Sequence, residues 1–467
     1  MALGRRKTKQ TELFTPTIQL PKGPGHPFYA KLNEVLAEAG FDALVEKLCA
    51  PFYKEGGRPG IPPGVYFRML FIGYFEGIDS QRGIAWRCAD SFSLRQFLGL
   101  LPTEATAEHS SLTVIRQRLP ETVFHEVFAF MLRVIDEKGL LKGKTIGIDA
   151  TTLEANAAMK SIVRKDNGQN WNEYLRQLAK AEGIENPSVE QLRQMDRKRE
   201  DKKVSNEVWH NPYDPDARIA KMKDGRTHLA YKAEHAVDLQ TQVIVAATVT
   251  HADRSDPETG AETLIMAQNN LQQVDPEEGI EEMVADKGYH DNRLLTQCMD
   301  WQVRTYIPER KQKNRCWTNK PQEYQGAFRG NRRRVRRDKG KRLNRWRSER
   351  CERTFAHVCE TGGARRSWLR GLGKVTKSYL MRCAAYNLGV LMRKVYGLGK
   401  PRGLQKPGEA LILCFLVWWR WIMAWITPPS PERTLAQKFR SGYKNFPVQV
   451  TRFKNRIFFN GLLVLLC

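Results

Sequence analysis

Two aspartates stand where a folding chain has reason to avoid charge. In KTIGIDATTLEAN, Asp149 lies between Ile148 and Ala150; in GIEEMVADKGYHD, Asp286 closes a short apolar run. Both runs read as strands, the first with Ile146 and Ile148 on one face and Asp149 on the other. An Asp at a strand end is most often a turn former or a helix cap. Asp149 is harder to explain that way, because it sits inside its strand. Two carboxylates on neighbouring strands repel each other, and partial burial makes both costly. A divalent cation between them removes both costs. Mg2+ or Mn2+ takes carboxylate oxygens, and a pair of such ions activates a nucleophile and stabilises the leaving oxygen of an in-line displacement on phosphorus.

A third carboxylate is expected from the last helix of such a site. Glu349, Glu352 and Glu360 are the candidates in RSERCERTFAHVCETGGARR. Glu352 borders the apolar stripe of Phe355, Ala356 and Cys359, so it is preferred, with Glu349 as the alternative. After Asp286 come Lys287, a phosphate contact or a solvated loop lysine, then Gly288, Tyr289 and His290. Gly288 is expected to let the backbone turn tightly, and His290 is a loop histidine or a proton shuttle.

The charge balance points to the substrate. Lys and Arg outnumber Asp and Glu 76 to 51, a net charge of +25, which favours a polyanion and nucleic acid first. The excess concentrates in RRRVRRDKGKRLNRWR, ahead of the final helix. Arg332, Arg333, Arg334, Arg336, Arg337, Lys339, Lys341, Arg342, Arg345 and Arg347 are the expected DNA contacts, with Lys287 and a second cluster at Arg365 and Arg366. Trp317 and Trp346 flank the run and are placed to stack on unpaired bases. The nine cysteines include no CxxC pair, so reduced thiols in a cytosolic protein are expected. MALGRRKTKQTEL lacks a signal-peptide core.

Residues 1 to about 135 read as a helical region, with Ser110-Ser111 capping LTVIRQRLP and ETVFHEVFAFMLRVIDEKGLL ending near Gly139. From about 140 to 398 the order is strand, a hairpin of THLAYKAEHAVD with TQVIVAATVTHAD, helix, strand, helix, strand, helix. A polar helical insertion interrupts it at about 156–222. This order fits an α/β ribonuclease H-like mixed sheet with helices on both faces, its first and fourth strands adjacent at the centre. Residues 399–467 form a tail of unassigned role. Its segment ALILCFLVWWRWIMAWI carries Arg420 mid-span, so a buried or interfacial helix is the plainer reading than a membrane span.

GIDATTLEAN, the hairpin pair, VADKGYHD and CERTFAHVCETGGARRSWLRG, taken in order, resemble the DDE transposases of bacterial insertion sequences. MLFIGYFEGIDSQRGIAWRCADSFSLRQFLGL and HSSLTVIRQRL resemble the InsH-type N-terminal domain of one branch. The resemblance spans most of residues 15 to 400. It implies that Asp149, Asp286 and Glu352 are the catalytic, metal-binding triad for two Mg2+ or Mn2+ ions. It also implies a homodimer on double-stranded DNA that cuts terminal inverted repeats and joins them to target DNA, with no small-molecule substrate. The expected location is the cytoplasm, on the nucleoid when DNA-bound. The chain departs from the family where Ser348 and Cys359 stand in place of an Arg and a Lys; Arg345, four before Glu349, keeps that glutamate in play. Two alternatives remain: a metal-dependent nuclease of the same fold, and a basic DNA-binding protein that has lost catalysis.

Overall fold

Alternation in the strands decides the centre of the molecule. The structure, a computed structural model, describes residues 25–54, 56, 60–198, 205–222, 225–310 and 316–401. The N-terminal MALGRRKTKQTEL and the apolar tail segment lie outside the described residues. Seven helices come first: α1 (Pro27–Glu38), α2 (Phe41–Cys49), α3 (Pro63–Glu76), α4 (Gln81–Asp90), α5 (Phe92–Phe97), α6 (His109–Arg118) and α7 (Glu121–Glu137). Then come β1 (Thr145–Glu154), β2 (Val163–Arg164), α8 (Trp171–Ala181), α9 (Val189–Lys198), β3 (Trp209–His210) and β4 (Arg218–Lys221). β5 (Thr227–Asp238), β6 (Ile244–His251), α10 (Asp256–Val274), β7 (Glu282–Ala285), α11 (Asn292–Asp300) and β8 (Arg304–Tyr306) follow. α12 (Gln322–Arg336), α13 (Asp338–Phe355) and α14 (Leu372–Tyr396) complete the described chain.

The main sheet runs β6–β5–β1–β7–β8, with β4 on the outer edge of β5 beside β6. β5 is antiparallel to both β1 and β6, while β7 is parallel to β1 and β8 parallel to β7. Asp238 builds the β5–β6 turn: its Oδ1 accepts from Gln240 N–H at 2.8 Å and its Oδ2 from Thr241 O–H at 2.8 Å. Residues directly opposite in an antiparallel pair project to the same face. Asp149 is opposite His235 and Ala150 opposite Glu234. His235 meets α13 and α14, whereas Glu234 meets α10. Helices therefore cover both faces of this mixed sheet, as the element order requires.

α14 carries the helical region. It packs on β6 on one side and on α3 and α7 on the other, so almost every residue from Tyr379 to Met392 is buried. Lys377 Nζ donates to the carbonyls of Leu119 at 2.7 Å and Arg116 at 3.2 Å, meeting the negative end of α6.

Several local expectations change. α6 begins at His109 with Glu108 at its cap position and no side-chain cap, so Ser110 and Ser111 lie inside the first turn. The basic run is helical: it forms the end of α12 and the start of α13, with a corner at Arg337. Arginine and lysine are good helix formers, and Gly340, Leu343 and Cys351 supply a narrow buried stripe. The insertion pairs α8 with α9 over Leu175, Ala179 and Leu192, and adds the two-stranded β2–β3. Every cysteine among the described residues is a free thiol.

Candidate active site

β1 and β7 bring the two aspartates level. Their parallel register ends at Ile148 opposite Ala285, so the next residue on each strand is Asp149 and Asp286, on neighbouring strands about 4.8 Å apart. Asp149 uses both oxygens: Oδ1 accepts from Ala150 N–H at 2.9 Å, and Oδ2 from Arg347 Nη1 at 2.9 Å. Asp286 caps the turn that follows it, accepting from Gly288 N–H at 2.7 Å. Gly288 is required for space rather than for a left-handed backbone. A Cβ there would stand 2.6 Å from Asp256 Oδ2 and 2.9 Å from Asp286 Oδ1. A third acidic side chain, Asp256 at the start of α10, therefore closes on the same turn.

α13 crosses this face with Cys351 toward β1; a Cβ on Gly147 would lie 3.0 Å from its Sγ. Burial pushes the Cys351 thiol well up, the Asp149 carboxylate adds to this, Arg347 opposes it, and Glu352 adds again. Asp149 and Glu352 thus both raise the pKa of this one thiol. Glu352 is exposed and accepts from Ser348 O–H at 3.3 Å. Glu349 is two residues from both Arg347 and Cys351, so it lies on the far side of the helix. There it pairs with Arg353 at 2.9 Å. Glu360 pairs with Arg365. Among the described residues no three Asp, Glu, His or Cys side chains converge closely enough to hold a metal ion in this arrangement. Asp149 and Asp286 stand level on adjacent strands and Glu352 lies on the helix that crosses the face of Asp149, but the three are not drawn into one ligand cluster.

His235 fastens that face. It is fully buried, stacked on Phe355 at 4.1 Å, and hydrogen-bonded to Thr354 Oγ1 at 2.9 Å and Tyr379 OH at 2.8 Å. Burial lowers its pKa to about 3, so the ring is neutral. On the opposite face lies a network that apolar patterning did not reveal. Lys232 Nζ reaches Asp256 at 2.6 Å and Glu234 at 3.3 Å. Glu234 accepts from Thr259 at 2.6 Å, Thr263 at 2.8 Å and Tyr289 at 2.9 Å. Burial raises the Glu234 carboxyl, and Lys232 opposes it most. The signal was present as Lys232 and Glu234 two apart among Tyr231, Ala233 and Ala236, charges that share one face. Lys287 is exposed, while His290 is buried edge-on to Phe328.

The basic residues divide into two sets. Arg332 pairs with Glu309, Lys339 with Glu282, Lys341 with Asp338, Arg347 with Asp149, Arg365 with Glu360, and Arg366 approaches Glu154. Arg334 is half-buried and donates to Thr305 O at 2.9 Å. Arg333, Arg336, Arg337, Arg342 and Arg345 are exposed and form no ion pair among the described residues. They gather along α12 and α13 around the Arg337 corner. Trp346 lies between the guanidinium groups of Arg350 at 4.2 Å and Arg342 at 5.5 Å, and Trp317 tilts against Phe328. Both rings are packed by protein.

A sheet in this order, with acids on its two central strands and on a helix over one face, belongs to the ribonuclease H-like class. Two family models match the chain: a transposase domain (DUF772) over residues 18–118 and a transposase DDE domain over residues 287–392. Together they are consistent with a DDE transposase of an insertion sequence. The second match takes in Glu349 and Glu352 and begins one residue after Asp286. No curated protein and no solved structure matches. Among the described residues no helix is long and apolar enough to cross a membrane.

Proposed function

We propose that this transposase-type chain binds the terminal inverted repeats of its mobile element, cuts the DNA there and joins the freed end to target DNA. The carrying observation is the level placement of Asp149 and Asp286 on adjacent central strands, with α13, the helix of Glu352, packed against both strands. The donors are all carboxylate oxygens, which suits a hard divalent cation, and the Arg347 guanidinium already serves Asp149 as a cationic partner. Asp149, Asp286 and Glu352 would hold Mg2+ or Mn2+, with Glu349 less favoured because its partner, Arg353, lies away from β1. Bound there, such ions acidify water and stabilise a leaving oxygen.

The side chains of the chain position the DNA. The unpaired arginines of α12 and α13 neutralise phosphates without reading sequence. The turn at Gly288 holds Asp286 at its strand end beside Lys287. Water attacks phosphorus in line and a 3′-hydroxyl leaves; that hydroxyl then displaces a 3′-oxygen of target DNA in the same geometry. Two ends have to be held at once, so a homodimer on DNA is part of the reading. The helical region α1–α7 is assigned to end binding and dimerisation, and the cytoplasmic nucleoid is the place of action.

A second reading has its own support. Both oxygens of Asp149 are engaged, and Ser348 and Cys359 replace an Arg and a Lys, which suits a DNA-binding protein without catalysis. A labelled duplex carrying the element's terminal repeat separates the two. With Mg2+ or Mn2+, the catalytic reading expects a 3′-hydroxyl at the repeat boundary, lost in Asp286→Asn while binding persists. Binding without cleavage by either protein would leave the non-catalytic reading.

A further inference from the structure

Arg347 has one donor spent and another idle. Its Nη1 is held by Asp149, while its Nε is buried without a partner among the described residues. The side chain is only 14% exposed, and Asp149 19%. A guanidinium does not lose its proton in a protein. It cannot step aside by becoming neutral, so it leaves Asp149 only for another anion. The other acids on its own helix are engaged elsewhere: Asp338 with Lys341, Glu349 with Arg353 and Glu352 with Ser348. The anion that the proposed function brings to this point is a DNA phosphate. Two phosphate oxygens match a guanidinium edge such as Nε with a terminal nitrogen, a geometry that ammonium lacks.

We infer that Arg347 is a partner-exchange residue: it holds Asp149 in the free protein and passes to a backbone phosphate when DNA binds. The exchange frees Asp149 for a divalent cation only once substrate is present. DNA and metal then bind with positive cooperativity, and by linkage each strengthens the other equally. The unspent Nε is what gives the phosphate an advantage, since it adds a second bond that Asp149 does not make. This inference rests on the transposase reading.

The test measures Mn2+ binding to the full chain by electron paramagnetic resonance, with and without a short duplex. Asp149→Asn serves as the background, and thermal melting checks that each variant is folded. In the wild type, DNA should raise the Mn2+ affinity about tenfold. Arg347→Gln should bind Mn2+ about tenfold more tightly than wild type without DNA, and DNA should then add little. Arg347→Lys keeps the charge on Asp149 but lacks the fork, so it should stay as weak as wild type without DNA and show a smaller gain with it. Equal Mn2+ affinity in wild type and both variants without DNA, or an undiminished DNA effect in both, would overturn the exchange while leaving the transposase reading intact. No Asp149-dependent Mn2+ binding in any of them, with or without DNA, would overturn both.

Discussion

Acidification should loosen the face that carries Asp149, and His235 sets the amount. The ring opposes Asp149 across the β1–β5 ladder and ties β5 to Thr354 of α13 and Tyr379 of α14. In the fold it takes a proton only near about pH 3, whereas in an unfolded chain it takes one near about pH 6.5. A group whose pKa is lowered by folding contributes its stability above the unfolded value and loses it as pH falls through the interval between the two. At about pH 5 the unfolded chain is favoured by protonation of this one ring by about 2 kcal/mol, and close to nothing at about pH 7.5. Urea unfolding of wild type and His235→Gln at these two pH values isolates the effect. The variant is expected to be less stable at both, because packing on Phe355 and one of two hydrogen bonds is lost. Its loss on acidification should nevertheless be smaller than the wild type's by about 2 kcal/mol. If both proteins lose the same stability between the two pH values, the ring is not the neutral clasp described here.

Gly288→Ala should depress cleavage and lower stability by about 1–3 kcal/mol, read by melting and by turnover, because the added carbon collides with the carboxylates of Asp256 and Asp286. Replacing Arg336, Arg337 and Arg345 together by Ala should weaken DNA binding equally for all sequences and flatten the slope of log affinity against log salt by about 3, measured by fluorescence anisotropy. Arg334→Ala should instead mainly lower stability, since its guanidinium is spent on Thr305. Lys232→Met, which leaves Glu234 and Asp256 without their cation, should cost about 3–5 kcal/mol in a denaturant titration, and a cost under about 1 kcal/mol would show the buried pair to be dispensable.

The strands beneath the site were legible because their patterns are strong. Ile146 and Ile148 alternate against Asp149, the hairpin strands are long and the second is rich in β-branched residues, and the apolar stretch before Asp286 is too short for a helix. Their neighbour relations followed from element order, which constrains sheet topology tightly. The basic run was harder. With few apolar positions between Asp338 and Arg350, periodicity has almost nothing to register, and helix formation rests on arginine propensity and on burial of Gly340 and Leu343. Apolar counting also passes over Lys232 and Glu234, whose burial is made tolerable by each other, by the half-exposed Asp256 and by the hydroxyls of Thr259, Thr263 and Tyr289. The side of α13 on which Glu349 lies is a matter of helical phase, and that phase is fixed by Arg347 and Cys351 meeting β1, contacts that no local pattern contains. Gly288 was rightly singled out, for a different physical reason than turn conformation.

The position of α14 limits how this protein can be taken apart. Its buried length is covered from one direction by the sheet and from the other by α3 and α7. A fragment starting at the first strand would therefore present the side of α14 that faces α3 and α7 to water, together with the unmet ammonium of Lys377 that now rests on α6. Such a fragment is expected to clump or to be degraded rather than to behave as a free-standing nuclease. Exchange of the helical region between related elements, by recombination or by design, has to carry a matching α14 with it, although that helix lies more than two hundred residues further along the chain.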